Sequence, residues 1–415
     1  MAAETIDTLI IGGGQAGIAM SEHLSRQGIG HLVLERDRIA ERWRTCRWDS
    51  LVANGPAWHD RFPNMSFEGV DPFAFATKDR IVAYFEEYAR RIEAPIRCGV
   101  TVTALTQCPG GGFRAETSAG PVEAARVVLA TGPFQRPLIP ALIPDSAGLF
   151  QTHSAGYRNP GQLPEGAVLV VGAGASGVQI ADELLRAGRR VFLSVGPHDR
   201  PPIRYRGRDF VWWLGVLGKW DAPTREPGME HVTIAVSGAH GGHTVDFRAL
   251  AGRGMTLLGR TEAYAEGRLR IAGDLARNLA AGDANYLSVL DEADAYLAAQ
   301  GIELPEEPQA RIIPPDPACV TDPILSLDLA AEGISAVVWA TGYGLDYGWV
   351  QIPAAFDAQG RPAHDRGISP VEGLYFLGLP WLTRRASPFI WGAWHDAAHL
   401  AAAIAAPQTA ATAAR

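Results

Sequence analysis

Two glycine clusters, Gly12-Gly13-Gly14-Gln15-Ala16-Gly17 and Gly172-Ala173-Gly174-Ala175-Ser176-Gly177, hold the chemistry that is most legible in this chain. Each follows a run of apolar β-formers, Leu9-Ile10-Ile11 and Val168-Leu169-Val170-Val171, and each opens a stretch with helical spacing. A strand that turns sharply on glycine into a helix brings bare backbone amides and the positive end of a helix dipole against a pyrophosphate. Gly12, Gly14 and Gly17, with Gln15 and Ala16 between them, are therefore candidate dinucleotide contacts. Gly172, Gly174, Ala175, Ser176 and Gly177 are their counterparts. Two such turns imply two dinucleotides.

The turns differ where a dinucleotide site selects its ribose. After the first, the strand His31-Leu32-Val33-Leu34 ends in Glu35 and Arg36. A carboxylate there accepts hydrogen bonds from an unphosphorylated ribose, as in FAD or NAD. After the second, the strand ends at Ser194 and runs into Val195-Gly196, with no carboxylate to repel a 2′-phosphate. Arg200, Arg204, Arg206 and Arg208 follow. Their guanidinium groups suit a 2′-phosphate, with Arg204 taken as the contact, so NADPH is expected and NADH stays possible. A solvated basic loop is the competing reading.

These turns need sheets to hold them. Val127-Val128-Leu129 ends in Ala130-Thr131-Gly132, and a near twin, Val337-Val338-Trp339, ends in Ala340-Thr341-Gly342. The complete second glycine unit lies between them. The expected fold is α/β, with two Rossmann-like dinucleotide-binding domains, the second inserted into the first. The expected FAD domain covers residues 1–152 and 322–405, the NAD(P)H domain 153–321, and a disordered tail 406–415. Proline-marked connections near Thr152 to Pro164 and Pro314 to Pro323 would join them.

Composition narrows the partners. Across 415 residues, 47% are hydrophobic and the net charge is −8, which describes a globular chain and disfavours nucleic acid or an anionic membrane as partner. Cys46, Cys98, Cys108 and Cys319 are widely spaced, with neither a Cys-x-x-Cys pair nor metal-ligand spacing. No apolar run approaches the roughly 18 residues of a membrane span, and the start shows no signal sequence. The expectation is a cytoplasmic monomer or homodimer that acts on a small molecule, without a metal.

With these features in place, the chain resembles the flavin-containing monooxygenases, especially compact bacterial members related to the plant auxin-forming monooxygenases. The resemblance rests on the paired glycine turns, on Ala130-Thr131-Gly132 continuing to Pro137 and Pro140, and on Ala340-Thr341-Gly342-Tyr343. Arg42-Trp43-Arg44 followed by Trp48-Asp49-Ser50-Leu51 and Asn54 adds to it, as does Tyr375-Phe376-Leu377-Gly378. It implies FAD in the first domain and NADPH across a cleft at the second. It also implies a flavin C4a peroxide that hands one oxygen atom from O2 to a substrate. Trp43 and Arg44 match positions beside the flavin, and Asn54 an asparagine near its reactive carbon. Ala130, Thr131, Gly132, Val102, Thr341, Gly342, Gly378 and Leu379 complete the candidate cofactor contacts.

A family signature that joins the two domains, Phe-x-Gly-x-x-x-His with Tyr or Trp four positions later, is half present. His153 and Tyr157 fit, while Ala147 and Leu149 stand in place of Phe and Gly. The resemblance makes His153 a candidate for coupling nicotinamide docking to flavin reduction; a hydrogen-bonded linker histidine is the alternative. Asn54 has a competing turn role beside Gly55-Pro56. Trp212, Trp213, Trp220, Trp381, Trp391 and Trp394 are either core or the walls of an apolar pocket. NAD(P)H oxidase, flavin reductase and a dinucleotide-binding redox sensor remain alternatives to oxygen transfer.

Overall fold

A computed structural model describes residues 3–223 and 233–406; the expected tail beyond 406 lies outside the described residues. The first unit runs β1 (Glu4–Ile11), α1 (Gln15–Arg26), β2 (His31–Leu34), the short α2 (Glu41–Thr45), α3 (Lys78–Arg91), β3 (Ile96–Arg97), β4 (Val102–Gln107), β5 (Phe113–Thr117) and β6 (Val122–Leu129). A two-residue β7 (Arg136–Pro137) lies on the way out. The second unit runs β8 (Phe150–His153), β9 (Ala167–Val171), α4 (Ala175–Arg186) and β10 (Val191–Ser194). A hairpin of β11 (Arg204–Tyr205) and β12 (Arg208–Asp209) leads into α5 (Phe210–Val216), followed by α6 (Phe247–Gly252), β13 (Thr256–Leu258), β14 (Thr261–Ala265), β15 (Arg268–Ile271) and α7 (Leu275–Gln300). After α8 (Ala318–Thr321), β16 (Ser326–Asp328) and β17 (Ile334–Trp339), the chain returns through β18 (Tyr343–Gly344) to β19 (Leu374–Phe376) and α9 (Ile390–Ala405).

The two sheets repeat one plan. The first has the order β3-β2-β1-β6, with β19 parallel to the second half of β6 and the β5-β4 hairpin on its first half. The second has the order β13-β10-β9-β17-β8. Leu9 pairs with Val127 as Leu169 pairs with Val337, so the repeat holds down to register. Parallel strands covered on both faces must be apolar throughout, and both β9 and the second half of β1 are buried at every position.

This corrects one boundary of the sequence reading. The strand Ile334–Trp339, placed in the first domain by the boundary at 322, pairs with β9 on one side and on the other with Phe150–His153, which is the edge strand of the second sheet. Each glycine turn needs its own fourth strand beside the strand that feeds it, and β17 serves the second turn as β6 serves the first. The chain therefore crosses between sheets along 130–149 and 340–373. Tyr343 and Gly344 of one crossing pair antiparallel with Pro137 and Arg136 of the other.

Candidate active site

At the first turn, Gly12 has φ +118°, and a Cβ there would fall 2.5 Å from the Ala130 carbonyl oxygen. At the second, Gly172 has φ +110°, and a Cβ would fall 2.5 Å from the Ala340 oxygen. Any side chain is barred at both. A Cβ on Gly17 or Gly177 would overlap the carbonyl of Gly12 or Gly172, so the helix packs directly on the turn. Ala130 and Ala340 thus belong to the turns: Ala130 N–H donates to Ile11 O at 2.9 Å, and Ala340 N–H to Val171 O at 2.8 Å.

The turns present the same open face. Gly14 and Gly174 are the N-caps of α1 and α4, and neither helix has a side-chain cap, so the first-turn amides carry no side-chain partner. A Cβ on Gly14 would meet nothing within 4 Å, and one on Gly174 only Thr233 Cγ2 at 3.4 Å. Gly13 N–H donates to Glu35 Oε2 at 2.7 Å, and Asp37 N–H to Oε1 at 2.9 Å, which fixes that carboxylate beside the turn. Val100 N–H donates to Glu35 O at 3.0 Å and brings the start of β4, with Val102, to the same place. Arg36 is exposed and pairs with Asp37. This set fits the adenosine and diphosphate of FAD: free amides, room for the anion and an acceptor for the ribose.

The flavin end of the first crevice is built from distant parts of the chain. Gln15 Nε2 donates to Pro388 O at 2.9 Å, which ties α1 to the segment entering α9. Gly378, at φ +78°, passes so close to Ala16 that a Cβ would lie 2.9 Å from the alanine Cβ, and Leu379 is buried behind it. Thr131 Oγ1 accepts from Gln135 Nε2 at 2.9 Å, and the same amide donates to Gly132 O at 2.7 Å. Trp43 is half-buried between the two cores under Arg47, whose guanidinium carbon is 5.7 Å from its ring centre. Arg44 is turned to Glu86 of α3.

Asn54 stands where the units meet. Gln179 of α4 donates through Nε2 to Val236 O and to Asn54 Oδ1, both at 2.8 Å. A backbone carbonyl can only accept, so the Gln179 amide is oriented and Asn54 must offer its oxygen to it. Among the described residues the donor end of Asn54 has no hydrogen-bond partner. Ser50 Oγ and Tyr157 Oη clamp the same loop through the two oxygens of Glu183, at 2.6 Å each. Gln179 was not legible in the sequence as a site residue, since nothing in its spacing on α4 points to Asn54.

The arginines that follow the second turn are all engaged within the second unit. Arg200 is buried against Asp283 at 2.8 Å, Arg204 pairs with Asp209 at 3.0 Å, and Arg206 with Asp294 at 2.7 Å. Arg208 lies over the Trp212 ring. Ser194 is also engaged: its buried hydroxyl donates to Gly259 O at 2.9 Å and accepts from Thr261 N–H at 3.2 Å. The residue beside Gly196 is Arg260, whose Cγ would touch a Cβ there at 3.4 Å. Its side chain is 54% exposed, and Nε donates to the buried Asp274 at 2.7 Å. Burial works against the charge on Asp274, but Arg260 outweighs it and holds the carboxyl below the usual range. No local spacing announces Arg260, because it reaches Gly196 from the neighbouring strand exit.

His153 is held by backbone on both sides. Ala155 N–H donates to Nδ1 at 3.1 Å, so the proton sits on Nε2, which lies 2.9 Å from the Gly342 oxygen. Burial pushes its pKa down, which keeps the ring neutral. It joins the end of β8 to the return crossing, where Thr341 Oγ1 also donates to Leu138 O at 2.5 Å. This geometry supports a linking role. His153→Phe, which puts a larger apolar ring at a buried position and loses both bonds, is expected to lower stability by about 2 kcal/mol in denaturant titration.

Comparison with known proteins fits this geometry. An uncharacterized CzcO-like oxidoreductase of Geobacillus kaustophilus (strain HTA426) is 34% identical over 398 residues, 95% of this chain and 97% of that protein. A family profile described as pyridine nucleotide-disulphide oxidoreductase matches residues 9–202. Indole-3-pyruvate monooxygenase YUCCA1 of Oryza sativa subsp. japonica is 33% identical over 195 residues, 45% of this chain and 47% of that protein. The chain belongs to the CzcO-like oxidoreductases. A solved flavin monooxygenase variant from Stenotrophomonas maltophilia shares the fold, with a TM-score of 0.66 at 17% identity over 97% of this chain and 98% of that one. Among the described residues, no helix is long and apolar enough to cross a membrane.

Proposed function

We propose that this chain takes electrons from NADPH and uses O2 to place one oxygen atom on a small apolar or aromatic organic substrate, acting in the cytoplasm. The observation that carries the reading is the pair of matching turns with opposite ribose ends, Glu35 at the first and Gly196 with Arg260 at the second. Bound FAD supplies the redox chemistry, accepting reducing equivalents and activating O2. The chain supplies binding, orientation and the exclusion of water. Glu35 and the α1 amides would hold the adenosine diphosphate half of FAD, and Gln15, Gly378 and Pro388 lie together toward its other end. The free amide end of Asn54 can donate a hydrogen bond without offering an acidic proton, which suits a site where stray protons release peroxide. Cys46, Cys98, Cys108 and Cys319 are widely spaced, without the Cys-x-x-Cys pair that redox-active dithiols use.

Incubation of FAD-loaded protein with NADPH, isotopically labelled O2 and a broad substrate panel should yield a product that gains one labelled oxygen, read by mass spectrometry. NADPH consumed only to hydrogen peroxide across the panel would replace this reading with an oxidase or flavin reductase. Binding of both dinucleotides with negligible turnover would replace it with a redox sensor.

Coenzyme choice tests the second ribose end separately. Arg260→Ala is expected to lower the NADPH over NADH ratio of kcat/KM by about ten- to a hundred-fold, the worth of a charged hydrogen bond to phosphate. The kcat/KM for NADH serves as the control and should stay nearly constant. An unchanged ratio would remove Arg260 from the site.

A further inference from the structure

Gly196 brings a carbonyl to the second ribose end as well as a missing side chain. Leu34 stands against Ile11 as Ser194 stands against Val171, so Val195 and Gly196 take the places that Glu35 and Arg36 take after the first turn. Gly196 O lies 2.9 Å from Nδ1 of the buried His198. A carbonyl oxygen can only accept, so Nδ1 carries the proton, and burial keeps the ring neutral by pushing its pKa down. Nε2 is then an acceptor, and it is buried with no partner among the described residues.

The imidazole is wedged against two helices. The Phe247 ring of α6 lies 4.7 Å from it, and at Gly282, inside α7, a Cβ would fall 2.5 Å from Nε2 and 3.1 Å from Cδ2. Glycine weakens a helix interior relative to alanine, and the imidazole explains why this one is there. The same face of α7 holds the rest of the exit from β10. Asn278 Nδ2 donates to Val195 O at 3.0 Å, and Asn285 Oδ1 accepts the Arg200 N–H at 3.0 Å, so positions 278, 282 and 285 together carry residues 195–200. An apolar side chain in place of His198 would leave no unpaired nitrogen in the core, so packing alone does not account for a histidine. What the ring does that an apolar group could not is hold the Gly196 oxygen.

We infer that His198 is a positioning residue for coenzyme choice: it keeps the Gly196 carbonyl on the imidazole, toward α7, so that a 2′-phosphate meets Arg260 and not a carbonyl oxygen. Once released, a glycine peptide can turn its oxygen outward, where its partial negative charge opposes a dianion. NADH, with a hydroxyl at that place, escapes this penalty. The inference rests on the reading that the second turn receives NADPH.

Calorimetric titration of the FAD-loaded protein with adenosine 2′,5′-bisphosphate and with adenosine 5′-monophosphate reads the worth of the 2′-phosphate without turnover. The unaltered protein should prefer the bisphosphate. His198→Leu is expected to cut that preference about ten-fold, whereas His198→Asn, whose amide nitrogen can stand where Nδ1 stands, should keep it. Gly282→Ala offers a second route, because its methyl group displaces the imidazole. It should lower the preference in the unaltered background and change nothing beside His198→Asn, which lacks the outer half of the ring. Alanine favours the helix, so weakened folding cannot imitate this pattern, and it decides the matter even where His198→Leu does not fold. A bisphosphate preference that survives Gly282→Ala, or one that His198→Asn abolishes, overturns the role of His198 and leaves the NADPH reading standing. An unaltered protein that binds the two nucleotides equally, or neither of them, overturns both.

Discussion

Gly14→Asp is expected to give a folded protein that no longer holds FAD. The backbone at Gly14 has φ −88° and ψ −169°, which any residue adopts, and a Cβ there meets nothing within 4 Å. The fold should therefore lose no more than about 0.5 kcal/mol, as for a surface substitution. The new carboxylate would stand at the amide end of α1, in the space a diphosphate needs. One unit charge at about 4 Å from another contributes about 4 kcal/mol in a partly solvated site, so FAD affinity should fall at least about 10³-fold. The expected protein is colourless after desalting, shows native circular dichroism, and titrates with added FAD only at very high concentration. Retained yellow colour would place the flavin elsewhere. Gly174→Asp, where Thr233 need shift only slightly, should leave the colour intact and abolish NADPH binding, so the pair assigns the two dinucleotides to the two turns.

These glycines were legible in the sequence because their constraint is local. A turn from strand to helix closes within a few residues, so that a Cβ on Gly17 or Gly177 would overlap the carbonyl of Gly12 or Gly172. Glu35 was legible for the same reason, since it follows its own strand directly. What escaped depends on partners brought in by the sheet. The strand Ile334–Trp339 ends like Val127–Leu129, and only pairing with β9 shows that it serves the second turn. The arginines after β10 looked free in the sequence, yet Arg200 and Arg206 pair with carboxylates of α7, and Arg204 and Arg208 with Asp209 and the Trp212 ring close by. Arg260 comes to lie beside Gly196 because β13 leaves the sheet beside β10. The tryptophans divide in the same way. Trp213, Trp381 and Trp394 are buried in packing, whereas Trp220 and Trp391 meet His59 through contacts no periodicity could reveal.

Asn54→Asp should keep NADPH consumption and lose its coupling to oxygen transfer. Gln179 fixes which end of Asn54 is the oxygen, because its own amide nitrogen already serves the Val236 carbonyl. The substituted carboxylate can still accept from Gln179, so the loop geometry is retained. Its other oxygen, however, replaces a donor with an acceptor when ionised, and offers an acidic proton when not. Either form works against an oxygenating site: the first removes a donor worth about 10²-fold where negative charge develops, and the second speeds the loss of peroxide. The ratio of oxygenated product to hydrogen peroxide, measured per NADPH consumed, should fall by about that factor. Gln179→Leu is expected to fall between this variant and the unaltered protein, because it frees the Asn54 amide to rotate but leaves its donor in place. If the ratio is unchanged in Asn54→Asp while FAD and NADPH still bind, the asparagine belongs to the turn at Gly55-Pro56 and another group must shield the reacting oxygen.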